Sequence, residues 1–283
     1  MSVQIIADSA CDLTAEDCAQ YGIEKLPLTV QLDGSEYEDG ISISSKKIYD
    51  AMREGKAPKT AQVSPQLFKD TFQKYAESNT PVIYLAFSSE LSGTYQAGKL
   101  MEQGIKEEFP EADLHVLDTK CASLGYGLVV LQAAKLAQSG AGVDEIIKAS
   151  KHSYQHMEHI FTVDDLEYLY RGGRVSKTAA FVGTLLKVKP LLHMEDGKLI
   201  PLEKIRGSKK VYKRMLELME ERGANFEQQT IGISHGDAID TAEEIAAMIR
   251  EKWQVKEIKI NMIGSSIGAH AGPGTIALFF LNE

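Results

Sequence analysis

The feature of the sequence that most constrains the fold is a strand–helix–strand pattern in its first half. Residues 81–87 (PVIYLAF) and 114–119 (LHVLDT) are short apolar runs typical of buried strands, and a helical pattern spans about 93–109 between them. Strands joined by a crossover of this length lie parallel. The first half is therefore predicted to contain a parallel α/β sheet.

Further local patterns complete the prediction for the first half. Residues 3–7 (VQIIA) predict a strand, and Thr14 can cap a helix that reaches about Tyr21. Ser64 followed by Pro65 is typical of a helix N-cap and first turn. Helices are also predicted at 44–55, 126–137 and 143–154. We expect these elements to form an N-terminal α/β domain, residues 1–156.

The second half has a different character. Asp196-Gly197 stands between two apolar runs, which favours a hairpin and therefore antiparallel pairing. Further strands are predicted within HIFTV, QTIGISHG, EIKINMIG and TIALFFL, and helices at 166–170, 176–186 and 239–251. We expect a C-terminal α/β domain, residues 157–283, with a mixed or antiparallel sheet.

Composition narrows the class of protein. The 283 residues carry 31 basic and 40 acidic side chains, a formal net charge of −9, and no long basic tract, which argues against a nucleic-acid partner. The opening residues contain neither a basic n-region nor an apolar run long enough for a signal peptide or a membrane span. Cys11, Cys18 and Cys121 lack C-x-x-C spacing, which fits a reducing compartment and disfavours structural zinc. We expect a cytoplasmic protein.

Four polar segments stand at predicted strand ends or helix starts, where ligands of open α/β sheets bind. The segments are 60–64 (TAQVS), 88–94 (SSELSGT), 118–123 (DTKCAS) and 264–274 (GSSIGAHAGPG). Within the second, the Ser92 hydroxyl and the free N–H groups of Gly93 and Thr94 would form a site for a carboxylate or phosphate. A serine there also serves as an ordinary N-cap, so both interpretations stay open.

Other polar residues are weaker candidates. His270 stands among Gly268, Gly272 and Gly274, which indicates a loop whose backbone takes positive φ or approaches another group closely. It could donate to an anion or handle a proton there, or lie on a turn without function. Arg171-Gly-Gly-Arg174 could bind phosphate, or form a turn between two short helices with solvated charges.

Aspartates at predicted strand ends raise the question of a metal. Asp8 and Asp118 could bind an ion, but such side chains more often accept hydrogen bonds from loop N–H groups. The sequence contains no dense cluster of ligand residues, so no metal site is predicted.

Several enzyme classes are disfavoured by their missing motifs. The phosphate-binding loop G-x-x-x-x-G-K-[ST] is absent, and the segment from Gly264 is expected to lack the strand-then-helix setting of a dinucleotide site. Ser92 lacks the leading glycine of a G-x-S-x-G nucleophile elbow. A hydrolase or acyltransferase that uses Ser92 with His270 stays as an alternative, and so does a lipid chaperone.

These segments, in this order, resemble the DegV family along almost the whole chain. TAQVSP is similar to the family's T-S-Q-P-S segment, SSELSGTYQAG to S-x-x-L-S-G-T-Y, DLEYLYRGGRVS to D-L-x-x-L-x-x-G-G-R-I, and IGAHAGPG to G-x-H-x-G-P-G. Ala61 and Val63 stand where the family often has Ser and Pro, so a hydroxyl next to Thr60 is missing.

The resemblance implies a two-domain α/β protein that holds a long-chain fatty acid between its domains and needs no other cofactor. Thr60, Ser92 with Gly93, and His270 would bind the carboxylate. The neighbouring Thr94 belongs to the same candidate site, and the supporting candidates are Ser64, Ser123, Arg171 and Ser265.

The resemblance also implies that the chain is not an enzyme. It would be the lipid-binding subunit of a two-component fatty acid kinase, and a separate catalytic subunit would form the acyl phosphate for phospholipid synthesis. Transient membrane contact would accompany this role.

A local excess of positive charge suggests where the kinase docks. Residues 204–214 (KIRGSKKVYKR) carry six basic side chains in an acidic chain. If Ser208 caps the next helix, Lys209 and Lys210 stand at its positive end, which the helix dipole disfavours. We expect these lysines and Arg206 to dock the kinase subunit; the alternative is a solvated basic patch.

Overall fold

A computed structural model describes residues 3–175 and 188–283 of the chain, which form three sheets and the helices around them. The strands are β1 (Gln4–Asp8), β2 (Glu24–Leu26), β3 (Thr29–Leu32), β4 (Ser35–Glu38), β5 (Lys59–Ala61), β6 (Val82–Ala86), β7 (Leu114–Asp118), β8 (Met157–Thr162), β9 (Val188–Glu195), β10 (Lys198–Arg206), β11 (Thr230–His235), β12 (Glu257–Met262) and β13 (Ile276–Leu281). The α-helices are α1 (Ala15–Tyr21), α2 (Ser45–Arg53), α3 (Pro65–Glu77), α4 (Thr94–Glu108), α5 (Ser123–Gln138), α6 (Val143–Gln155), α7 (Leu166–Arg171), α8 (Ser208–Arg222), α9 (Ile239–Lys252) and α10 (Ser265–Ala271).

The first sheet is parallel and has the order β2-β1-β6-β7. Every residue of β6 is buried, as expected of a parallel strand covered on both faces. Because α4 connects β6 to its parallel neighbour β7, the predicted strand–helix–strand unit is confirmed.

The second sheet is mixed and has the order β10-β9-β8-β13-β11-β12. β11 and β12 are parallel, whereas the other neighbouring pairs are antiparallel. Asp196 and Gly197 join β9 to β10 with φ angles of 48° and 82°, as a two-residue hairpin turn requires. The predicted hairpin and mixed sheet are confirmed.

The third sheet was not predicted from the sequence. Its three antiparallel strands, in the order β4-β3-β5, are only three or four residues long. Val30 of β3 lies opposite Thr60 of β5, and this strand packs in one apolar cluster with Ile48 of α2 and Ala269 of α10. The small sheet thereby holds Thr60 beside α10.

The two large sheets share apolar packing. Ile83 of β6, Leu124 of α5, Phe161 of β8 and Phe279 of β13 belong to one buried cluster. The predicted domain boundary at 156/157 falls between α6 and β8 and stays a prediction. The helix predicted at 176–186 lies outside the described residues.

Aspartates end two strands of the first sheet. Asp8 accepts a hydrogen bond from the N–H of Phe87, and Asp118 accepts from the N–H groups of Ser89 and Lys120. Both carboxylates therefore serve the loops that follow the strands, as predicted. Among the helices in ranges 3–175 and 188–283, none has the length and apolar character needed to cross a membrane.

The contact between α5 and the second sheet can be tested at Gly125. A Cβ at this position would lie 2.6 Å from a ring carbon of Phe279 and 2.7 Å from Nε2 of His159. Gly125→Ala is expected to lower the free energy of unfolding by about 1–3 kcal/mol through overpacking, measured by urea denaturation. Gly104→Ala, in the open on α4, is the matched control and should raise it by about 0.5–1 kcal/mol. If Gly125→Ala and Gly104→Ala change the free energy of unfolding equally, Gly125 does not pack against Phe279 and His159 as described.

Candidate functional site

A cavity lies between the first and second sheets. Its empty space, including the open mouth, measures about 780 Å³. Of the 21 lining residues within the described ranges, thirteen are apolar, among them Phe87, Leu91, Phe161, Leu199 and Phe279. The cavity is therefore suited to a long apolar group.

A histidine–threonine pair forms part of the polar lining. Thr60 Oγ1 lies 2.7 Å from Nε2 of His270, and both residues line the cavity. Burial, and next the positive charge of Arg174, lower the pKa of His270 to about 4. At neutral pH the imidazole is uncharged and has one N–H to donate.

His270 lies near the end of a helix, α10, and not in the loop that its glycines suggested. A Cβ on Gly268 would lie 2.6 Å from the hydroxyl oxygen of Tyr49, and Gly272 and Gly274 have φ angles of 82° and 80°. Gly268 therefore permits the close approach of Tyr49, and Gly272 and Gly274 permit positive φ, as expected from the sequence. Because α10 follows β12, the expectation that this segment lacks a strand-then-helix setting was wrong.

Ser92 lines the same cavity just before α4. The N-cap of α4 is Gly93, so Ser92 does not occupy the cap position. The Ser92 hydroxyl lies 2.8 Å from that of Thr94 and accepts a hydrogen bond from the Thr94 N–H at 3.3 Å. Gly93 is exposed against the side chain of Gln62, and Thr94 is fully buried outside the cavity lining. Of these three residues, Ser92 is the one that faces the cavity.

Arg174 is a site residue that the sequence analysis considered within RGGR but did not choose, since only Arg171 was kept as a supporting candidate. Its Nε donates to the backbone oxygen of Leu91 at 2.9 Å, and it lines the cavity with Thr60 and His270. Burial lowers the pKa of its guanidinium. Among residues 3–175 and 188–283, no carboxylate pairs with Arg174. Positive charge is thus placed beside the polar lining without an acidic partner.

Comparison with known proteins identifies the family of this fold and site. A DegV family model, described as an uncharacterised protein, matches residues 2–283. The chain belongs to the DegV family. A DegV domain-containing protein of Clostridium perfringens is 42% identical over 282 residues, which cover 99% of this chain and 97% of that protein.

Solved structures of the DegV family extend the likeness to three dimensions. A Thermus thermophilus structure, described as fatty acid binding of a DegV family protein, has a TM-score of 0.90, 31% identity and full coverage of both chains. A Thermotoga maritima structure, described as a DegV lipid binding protein, has a TM-score of 0.86 and 31% identity, and the match covers 99% of this chain and 98% of that one.

The supporting candidates of this DegV chain lie in different places. Ser64 is the exposed N-cap residue of α3, without a side-chain capping bond, and Ser265 is buried; neither lines the cavity. Ser123 does line it, and its hydroxyl donates to Asp12. Arg171 lies over the ring of Tyr168, 5.5 Å from its centroid, and lines a neighbouring cavity.

Two further polar residues of the cavity were missed. His159 Nε2 accepts from the N–H of Ala122, its Nδ1 donates to the backbone oxygen of Met157, and burial lowers its pKa to about 4. It is therefore neutral, with both ring nitrogens occupied. The Ser266 hydroxyl lines the cavity, and it is buried without a hydrogen-bond partner in the described parts of the chain. His159 lies in a predicted strand, and Ser266 lies in the polar segment 264–274, where only His270 and Ser265 were chosen as candidates.

The depressed pKa of His270 predicts a pH effect on stability. Unfolded histidine binds a proton near pH 6.5 and the folded His270 only near pH 4, so this residue's contribution to stability is lost as the pH falls between them. From pH 7 to pH 5 the loss is about 2 kcal/mol. Urea denaturation at pH 7 and pH 5 measures the drop in the free energy of unfolding between the two pH values. This drop should be smaller in His270→Gln than in the wild type, by about 2 kcal/mol. If the free energy of unfolding drops equally in the wild type and in His270→Gln, folding does not lower the pKa of His270.

Proposed function

We propose that this DegV family member binds one long-chain fatty acid in the cavity, with the carboxylate at Thr60, Ser92 and His270. The observation that carries the proposal is an apolar cavity whose polar lining includes a neutral hydroxyl–imidazole pair. The fatty acid binding described for the Thermus thermophilus relative supports it.

The hydrogen-bond geometry suits a carboxylate. If His270 Nε2–H donates to the Thr60 oxygen, the Thr60 hydroxyl hydrogen is free to point at the ligand, and the Ser92 hydroxyl supplies a second donor. Hydrogen bonds to a charged group are stronger than neutral ones, at about 1.5–3 kcal/mol net. Two donors therefore fix the orientation of the headgroup.

The acyl chain supplies most of the affinity. Burial of a methylene group stabilises by about 0.8 kcal/mol, so roughly fifteen of them contribute about 12 kcal/mol before the costs of binding. Leu91, Phe161 and Phe279 are among the side chains that would cover the chain. This gain is counted relative to a fatty acid dissolved in water.

We further propose that the bound carboxylate is presented to a separate kinase subunit, which forms the acyl phosphate. Thr60, Arg174 and His270 also line the neighbouring cavity, whose other walls include Lys59 and Arg171. A phosphoryl donor that enters from that side would meet positive charge next to the carboxylate. The nucleotide would belong to the partner, because the phosphate-binding loop motif is missing from this chain.

The hydrolase alternative is disfavoured by the hydrogen bonds. His270 Nε2 contacts Thr60, whereas the Ser92 hydroxyl contacts Thr94. An imidazole with a pKa of about 4 is also a weak general base at neutral pH. Native mass spectrometry of the gently purified protein should therefore detect one bound fatty acid, and ester substrates should not be hydrolysed. Ester turnover without a bound lipid supports the hydrolase instead.

Ser92→Ala tests the carboxylate site. The loss of a hydrogen bond to a charged group should weaken fatty-acid binding roughly 10- to 100-fold with the fold intact, measured by lipid-binding titration and a thermal melt. Ser64→Ala is the matched control, because Ser64 is exposed and lies outside the cavity lining. Unchanged affinity in Ser92→Ala would leave this serine a purely structural role.

The proposed docking residues are exposed. Arg206 is the last residue of β10, and Lys209 and Lys210 lie in the first turn of α8, whose N-cap is Gly207 and not Ser208 as supposed. The seven-residue separation along β10 puts Arg206 about 23 Å from Leu199 in the cavity wall. The docking surface would therefore lie away from the part of the cavity wall that Leu199 forms.

Arg206→Ala tests the docking proposal. It should leave fatty-acid binding unchanged and slow acyl phosphate formation by the kinase subunit at subsaturating concentrations of this protein, more at low salt than at high salt. Arg250→Ala, at an exposed position of α9, is the control. A wild-type rate in Arg206→Ala across those concentrations would place the kinase elsewhere.

A further inference from the structure

We propose that His152, His156 and Glu283 bind a divalent first-row transition metal, with Zn²⁺ as the ion of choice. The three side chains meet at the surface where the chain after β13 passes the end of α6, and their ligand atoms lie within 4.8 Å of one another. Two imidazoles and one carboxylate are a ligand set that suits zinc.

The separations of the ligand atoms fit a metal centre. Glu283 Oε1 lies 3.0 Å from Nε2 of His156 and 3.6 Å from Nδ1 of His152. A tetrahedral ion with bonds of about 2.0–2.2 Å needs ligand atoms roughly 3.3–3.6 Å apart. The site thus needs only small side-chain movements to accept the ion.

The helix places both imidazoles on one side. Residues four positions apart share a helix face, and the ring centroids of His152 and His156 are 4.7 Å apart. The Glu283 carboxylate reaches the two histidines because β13, which precedes it, lies beside β8, and β8 directly follows α6. Helix and strand therefore supply the ligands from two directions.

A neighbouring amide prepares His156 for a cation. Asn282 Nδ2 donates a hydrogen bond to Glu158, so its Oδ1 faces Nδ1 of His156 at 2.9 Å. This oxygen accepts a hydrogen bond from the Nδ1–H of His156. In the neutral ring the Nε2 lone pair then faces the Glu283 carboxylate, so a metal ion between them, in place of a proton on Nε2, would be bound by both groups. An amide oxygen that fixes the tautomer in this way is typical of an outer-shell partner of a metal-bound histidine.

The site is open to solvent, so an ion can enter. The side chains of His152 and Glu283 are 56% and 58% exposed, and that of His156 is 27% exposed. Three protein ligands leave a fourth position for water or for a ligand from another molecule.

The metal would fasten the end of a strand that forms the fatty-acid cavity. The Asn282 N–H donates to the backbone oxygen of His156 at 3.0 Å, directly after β13. Ala277 and Phe279 of β13 line the cavity. A bound ion would therefore restrain the end of this strand against α6.

Calorimetric titration of the untagged protein with Zn²⁺ at pH 7.5 tests the site. We expect one ion per chain, with affinity at least tenfold weaker in His152→Gln and in His156→Gln, and about tenfold weaker in Asn282→Ala. His115→Gln is the matched control and should bind as the wild type does, because His115 pairs with Asp113 alone. Thermal melts without metal establish that each variant is folded.

Hydrogen exchange gives a second readout. Zn²⁺ should slow exchange of the Asn282 amide in the wild type and leave it unchanged in His156→Gln. The proposal is overturned if zinc binding is not saturable, or if His156→Gln binds as tightly as the wild type, which would place the ion elsewhere, for example on a cysteine.

Discussion

The geometry of the candidate site depends on two buried carboxylates that hold the start of α10. Asp12 accepts a hydrogen bond from the N–H of Gly264 at 2.7 Å, and Asp39 accepts from the N–H of Ser265 at 2.9 Å. Negative charge is favourable at a helix N-terminus. Because Asp12 and Asp39 belong to the first half of the chain and α10 to the second, these bonds fix His270 against Thr60.

Burial also limits the charge around the cavity. Desolvation raises the pKa of Asp12 to about 7, although Ser123 and the N–H of Gly264 donate to it. Desolvation acts in the opposite direction on the bases, so His159 and His270 are neutral at physiological pH. Apart from the Arg174 guanidinium, the cavity is thereby lined by groups that carry little permanent charge, which suits an apolar ligand.

Local patterns predicted the large sheets well, because their strands and helices are specified by nearby residues. The Asp196-Gly197 turn and the run at 81–87 are examples. The β4-β3-β5 sheet was missed because strands of three or four residues have too little alternation to be recognised. α10 was read as a loop since GSSIGAHAG is rich in glycine, whereas Gly268 is required there by the close approach of Tyr49.

Residues that meet only through the fold could not be paired from the sequence. Thr60 and His270 are each visible as candidates, but their contact depends on the small sheet that was not predicted. Arg174 was passed over in favour of Arg171, because RGGR does not say which arginine turns inward. His152 and Glu283 are brought together by the neighbouring strands β8 and β13, so the sequence shows no local cluster of ligand residues there.

The hydroxyl donors of the proposed carboxylate site matter for what the ligand must do. A carboxylate locked in a buried ion pair resists change, since breaking such a pair costs about 3–5 kcal/mol. Hydroxyl donors, as at Thr60 and Ser92, hold a carboxylate more weakly and can turn towards other oxygens. If the proposed function holds, such a site would tolerate both the fatty acid and the more highly charged acyl phosphate, while the buried acyl chain would keep either molecule bound.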